Sequence, residues 1–168
     1  MRRTNFSEMP CPIARGLDRV GEWWSILILR DASQGLTRFD QFQKSLGIAP
    51  NMLSRRLDDL VEAGLLERRR YQARPPRDEY LLTRIGRDFQ PVLVAMMAWG
   101  NRHFTPEGIS SQLVEVATGR PVEPVVVDRV TGLPVSDPAF RYAAGPAADD
   151  VVRARIAFMD SKREETHG

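Results

Sequence analysis

Cysteine, lysine and histidine are nearly missing from this chain of 168 residues, which carries one, two and two of them. The single cysteine, Cys11, excludes an internal disulfide framework and a cysteine-rich zinc site. His103 and His167 are too few and too far apart in sequence to suggest a metal cluster, and no Ser-His-Asp or Cys-His arrangement comes with a supporting motif. Catalysis, a bound metal and a cofactor are therefore not expected. No apolar run approaches the roughly 18 residues that a membrane span needs, and the opening residues lead into no hydrophobic signal segment. A cytoplasmic location with no membrane partner is expected.

Arginine takes the place of the missing lysine: 22 of the 24 basic side chains are guanidinium groups, the better fork for phosphate and guanine edges. Such a bias also follows from genomic base composition, so its placement matters more than its size. Residues 1–105 hold 17 basic against 12 acidic side chains, and residues 106–168 hold 7 against 10. The first part is +5 and the rest −3, which puts any polyanionic partner on the N-terminal part. The length suits one domain with an appendage, burying roughly 70% of its unfolded surface.

Hydrophobic periodicity places the elements. Ile13, Leu17 and Val20 share one face of a helix over 12–20, which Gly21 stops. EWWSILILRDAS (22–33) is apolar nearly all round, as in a helix at the centre of a small helical domain. Thr37 and Asp40 resemble a capping box opening RFDQFQKSL, where Phe39 and Phe42 turn inward. After the break at Gly47 and Ile48, the stretch IAPNMLSRRLDDL (48–60) places Leu53, Leu57, Leu60 and Val61 on one stripe. Asn51 and Arg55 then fall on the opposite side, flanked by Met52 and Ser54, and Pro50 fits the first turn.

Two helices joined so tightly, the second with a polar outer face, form a helix-turn-helix pattern, although any pair of helices joined by a short loop looks similar. The segment after Gly64 strengthens the pattern. LLERRRY and RDEYLLT predict two strands around the loop QARPP, carrying Arg68, Arg69, Arg70, Arg74 and Arg77 with no acidic residue between 68 and 77. A basic hairpin behind a helix-turn-helix is a wing. Thr83 caps a further predicted helix over 84–103, bent at Pro91. Beyond Thr105 the composition shifts to Val, Pro, Gly and Asp, with Thr-Gly-x-Pro-Val repeated thirteen residues apart at 118 and 131. A hairpin-like appendage is expected there, and 149–164 return to helical composition.

CPIARGLDRVGEWWSILILRD, LTRFDQFQKSLGIAPNMLSRRLDDLVEAGLLERR and PPRDEYLLTRIGRDFQPVLVAMMAWG together resemble the HxlR-type winged helix-turn-helix transcriptional regulators, a group akin to MarR regulators. The likeness covers about residues 10–103. It implies a homodimer that binds double-stranded DNA near promoters, with the helix at 50–63 in the major groove and the wing against the backbone or minor groove. The helices at 12–20 and 84–103 would form the dimer. The chain departs from the family in Ala49, where a capping serine is common, and in Trp23, at a place usually polar or basic. Some relatives build a cysteine knuckle where this chain has Thr118, Asp128 and Thr131, so zinc is not expected.

The expected fold is mainly α with a small β wing: an N-terminal arm (1–11), a winged helix-turn-helix DNA-binding and dimerisation domain (12–105), and a C-terminal β-rich appendage with a short terminal helix (106–168). Candidate DNA contacts are Thr37, Arg38, Pro50, Asn51, Met52, Ser54, Arg55, Arg56, Arg74 and Arg77. Asn51 and Arg55 are the base readers, because Asn to adenine and Arg to guanine are bidentate matches. Arg74 and Arg77, flanking Pro75 and Pro76, are the preferred phosphate contacts. Arg56, beside the apolar stripe, is either a phosphate contact or an internal ion-pair partner.

Cys11 poses a separate question. In several relatives a cysteine before proline senses oxidants or electrophiles, and a helix N-terminus lowers a thiol's pKa. A lone buried cysteine is also commonly inert. Trp23, Trp24, Met96, Met97 and Trp99 form either a ligand pocket for an unidentified small-molecule effector or plain core and dimer contact.

Overall fold

The computed structural model describes residues 9–167, so of the expected arm at 1–11 only its last three residues fall within the described part. Two compact units divide the chain, one formed by residues 19–126 and the other by the described residues to 18 with 127–167. In the first unit α2 (Trp23–Ser33) is the central helix, packing against α3 (Phe39–Leu46), α4 (Pro50–Glu62), β2 (Arg77–Leu82) and α6 (Gln90–His103). Its all-round apolar sequence serves this position: Ile28 and Leu29 are fully buried, and Trp24 and Ile26 pack at the edge of the same core. Phe42 of α3 and Leu53, Leu57 and Leu60 of α4 complete that core, as their helical spacing requires. Among the described residues no helix is long and apolar enough to cross a membrane.

The turn between α3 and α4 is three residues long. Gly47 ends α3 in the left-handed conformation at φ 61°, which a residue with a Cβ adopts at a cost. Ile48 then drops into the core, Ala49 takes the cap position without a side-chain hydrogen bond, and Pro50 opens α4. The cap of α3 differs from expectation: Gln41, rather than Asp40, reaches back so that its Oε1 accepts from the backbone N–H of Thr37 and of Arg38, each at 3.0 Å.

β1 (Leu66–Gln72) and β2 pair antiparallel, with a bulge between Arg70 and Gln72. The hairpin is tied to the helices at its base. Tyr80 N–H donates to Thr37 O at 2.7 Å, and Thr83 N–H donates to Leu65 O at 3.1 Å. Thr83 Oγ1 donates to Gly64 O at 2.7 Å and accepts from Gly86 N–H at 3.1 Å, which caps α5 (Arg84–Asp88). The single bent helix expected over 84–103 is two helices, α5 and α6, separated at Phe89. Pro91 has no N–H for a helix continuing from α5, whereas near the start of a new helix that donor would be an orphan anyway.

α1 (Pro12–Val20) forms as predicted, but only Val20 is buried, and Ile13 and Leu17 remain exposed. Among the described residues beyond 105 the β character is confined to two isolated bridge pairs, Val114 with Pro121 and Val127 with Pro134. Each closes one of the repeated Thr-Gly turns, and each turn is locked the same way: Thr118 Oγ1 donates to Glu115 at 2.7 Å, Thr131 Oγ1 to Asp128 at 2.8 Å. With so many prolines and short-range turns, no extended ladder forms. The terminal helix, α7 (Asp150–His167), is not short: it runs 18 residues.

Candidate nucleic-acid interface

α4 sorts its side chains by the helical period. Leu53, Leu57 and Leu60 face the core, while Pro50, Asn51, Met52, Ser54 and Arg55 are exposed. Asn51 Oδ1 accepts from Met52 N–H at 2.8 Å. Among the described residues its amide nitrogen makes no hydrogen bond, and Arg55 makes no ion pair. Both are polar groups of the kind that matches base edges, offered from the first turns of a helix.

Arg56 resolves to the internal of its two readings. It is 6% exposed, with Nη2 at 3.1 Å from Glu22 and Nη1 at 2.9 Å from Asp59, so it is turned away from the exposed face. Glu22 is the cap residue of α2, and the pair therefore ties α4 to the central helix. Arg56 is buried but Glu22 and Asp59 are 41% and 33% exposed, so solvent screens the pairs and removing one carboxylate costs less than the roughly 3 to 5 kcal/mol of a fully buried pair.

Thr37 is half-buried, and its carbonyl accepts from Tyr80. Arg38 is exposed and lies over the Tyr71 ring, 4.7 Å from its centroid, which joins the start of α3 to the wing. Along the wing the strand register divides the arginines into two groups. Arg69 pairs with Glu79 at 2.8 Å and Arg70 with Asp78 at 2.9 Å, while Arg68 pairs with Asp58 of α4. The Arg70 guanidinium holds the Asp78 carboxyl below the usual carboxylate range. Arg74 and Arg77 are exposed and make no ion pair among the described residues. The wing is thus less basic than its run of arginines suggests, and its uncommitted charge sits at the turn. Asp78 and Glu79 were missed as partners: counting back from the loop at 73–76 places them opposite Tyr71 and Arg70, and only the bulge at Tyr71 shifts them opposite Arg70 and Arg69.

Cys11 lies half-buried at the entry to α1. The backbone N–H of Ala14 lowers its thiol pKa, aided by Ile13 N–H and the Arg155 side chain and opposed by desolvation. Arg155, 144 positions away, could not be found from the local sequence. The five pocket candidates are not gathered: Trp23 is 75% exposed, Trp24 packs against the core, and Met96 and Trp99 are exposed on α6. Met97 lines a cavity of about 380 Å³ with Asn101, Arg102 and Leu113. The helical period spreads the five candidates around α2 and α6.

The family model for the HxlR-like helix-turn-helix matches residues 19–108, the stretch that holds α2 to α6 and the wing. The chain belongs to that HxlR-like family. Among its relatives is a protein of Mycobacterium tuberculosis named an HTH-type transcriptional regulator (Rv3095), 41% identical over 116 residues, or 68% of this chain and 73% of the relative. The solved structure of a candidate transcription factor, PA1607, shares 41% identity and a TM-score of 0.75, covering 84% of this chain and all of that one (100%). Another, PA1374 from Pseudomonas aeruginosa, shares 57% identity and a TM-score of 0.63, covering 86% and 99%. The redox regulator HypR in its reduced form shares 31% identity and a TM-score of 0.53, covering 58% and 99%. This HxlR-like chain is a winged helix transcriptional regulator of the helix-turn-helix type, with α4 in the position of its second helix.

Proposed function

We propose that the protein binds double-stranded DNA sequence-specifically as a homodimer, reading bases with Asn51 and Arg55 and gripping phosphates with Arg74 and Arg77. The observation that carries this reading is the division of the arginines. Those at 56, 68, 69 and 70 are engaged within the fold, whereas Arg55, Arg74 and Arg77 are exposed without ion pairs among the described residues. Thr37 and Arg38 flank the site from the start of α3, and Pro50, Met52 and Ser54 complete the exposed face of α4. The dimer is supported by Val92, Met96, Trp99 and Phe104, an exposed apolar stripe along α6 and its end that a second copy would cover.

Phosphate contacts release counterions, so the slope of log affinity against log salt counts them. Arg74→Ala and Arg77→Ala should each weaken specific and scrambled duplexes alike and reduce that slope by about 1. Fluorescence anisotropy across a salt series measures it. An unchanged slope in both variants contradicts a role for the wing tip.

A second reading is favoured by Cys11, whose thiolate is promoted by Ala14 N–H and Arg155, and by the likeness to HypR. Here two Cys11 thiols, one from each copy, join as a disulfide while diamide takes up the two protons and two electrons. The α4 helices of the two copies then change their separation, since a covalent change acts only by favouring one of two packings. Diamide should alter DNA binding of wild type and produce a linked dimer on a non-reducing gel, with no response in Cys11→Ser. Identical insensitivity of both proteins makes Cys11 structural.

A further inference from the structure

In the unit that contains the second Thr-Gly turn and α7, an open cavity of about 580 Å³ falls within the range of small-ligand sites. Val127, Val135, Phe140, Tyr142 and Met159 supply apolar walls, and all but Phe140 are exposed large hydrophobic side chains. Three arginines, Arg129, Arg141 and Arg163, line it against two aspartates, Asp128 and Asp160.

Both aspartates are already occupied. Asp128 Oδ2 accepts from Val130 N–H at 3.2 Å and from Thr131 N–H and Oγ1, each at 2.8 Å. Asp160 Oδ1 accepts from Arg141 Nη1 at 2.8 Å, a bond that also pins α7 to the segment beside the cavity. Arg129 makes no ion pair among the described residues. Apolar walls with one uncommitted guanidinium are complementary to a molecule carrying one negative charge on a hydrocarbon body.

We propose that this cavity binds a small aromatic or branched apolar carboxylate, its hydrocarbon against Phe140, Tyr142 and Met159 and its carboxylate on Arg129. The site shares no residue with α4 or the wing, and it stands whether or not the DNA reading holds.

The test is calorimetric titration of the full chain with 2-naphthoate and with 2-naphthamide, which has the same rings and no charge. Naphthoate should bind saturably and at least about tenfold more tightly than the amide, the size of one charge-assisted hydrogen bond. Arg129→Gln, an exposed change that leaves the walls intact, should remove that preference. Absence of saturable naphthoate binding, equal binding of the two probes, or a preference that survives Arg129→Gln each overturns the proposal. So does occupation by a second copy of the chain, seen as a lower sedimenting mass for Tyr142→Asp together with no naphthoate binding by wild type.

Discussion

Gly86→Ala is expected to destabilise the fold by about 3 kcal/mol or more, lowering the melting temperature by roughly 6 to 12 °C. A Cβ built on Gly86 would lie 2.1 Å from the backbone oxygen of Leu65 and 3.0 Å from a Leu82 methyl group. The oxygen cannot simply withdraw, because it accepts from Thr83 N–H at 3.1 Å and lies within 3.3 Å of Thr83 Oγ1, the bonds that hold β2 beside the end of α4. The close approach therefore fixes where the wing leaves the helical body. Gly100→Ala is the matched control: it lies within α6, a Cβ there meets nothing within 4 Å, and the change should stabilise by about 0.5 to 1 kcal/mol. Thermal and denaturant unfolding of both variants check the pair. A Gly86→Ala protein as stable as wild type contradicts the packing of α5 on the hairpin.

The largest expected effect on binding belongs to Arg55→Ala, which should cost about 1 to 3 kcal/mol, or about 5- to 150-fold, on the specific site. Non-specific binding should change much less, because it depends on phosphate charge distributed over several side chains. The helix itself should survive, since Arg55 is exposed and alanine is the better helix former. Competition between specific and scrambled duplexes separates the two quantities. Equal loss on both makes Arg55 a phosphate contact and leaves base reading to Asn51.

Legibility in the sequence tracked the range of the forces involved. The stripe of α4 was readable because Leu53, Leu57 and Leu60 obey one period, and the buried outcome comes from that period alone. Gly47 and Pro50 likewise announced the turn through their own backbone chemistry. The cap of α3 was placed on Asp40 because residue spacing does not reveal which side chain bends back, and Gln41 is one methylene longer.

Errors elsewhere came from contacts between distant or paired segments. Counting arginines between 68 and 77 overlooked Asp78 and Glu79, which are remote along the strand direction yet lie across the hairpin. The pairing of Arg56 with Glu22 needed α2 and α4 side by side, so spacing within α4 left two readings open. Repetition of Thr-Gly-x-Pro-Val correctly marked two like turns, but prolines allowed only bridge pairs where strands were expected. For the aromatic and methionine residues of α2 and α6, the sequence left a pocket and a core or dimer contact open, because exposure is set by packing: Trp24 lies against the core while Trp23, Met96 and Trp99 are exposed.

The central claim, sequence-specific DNA binding by a dimer through α4, is tested most directly by selecting duplexes bound by the full chain from a random pool. The account predicts enrichment of a near-palindromic site, its half-sites centred about 34 Å or a multiple apart, and with Arg55→Ala a weaker enrichment that is relaxed at the base position Arg55 reads. A wild-type pool that retains duplexes without any enriched sequence, or retains none, contradicts it.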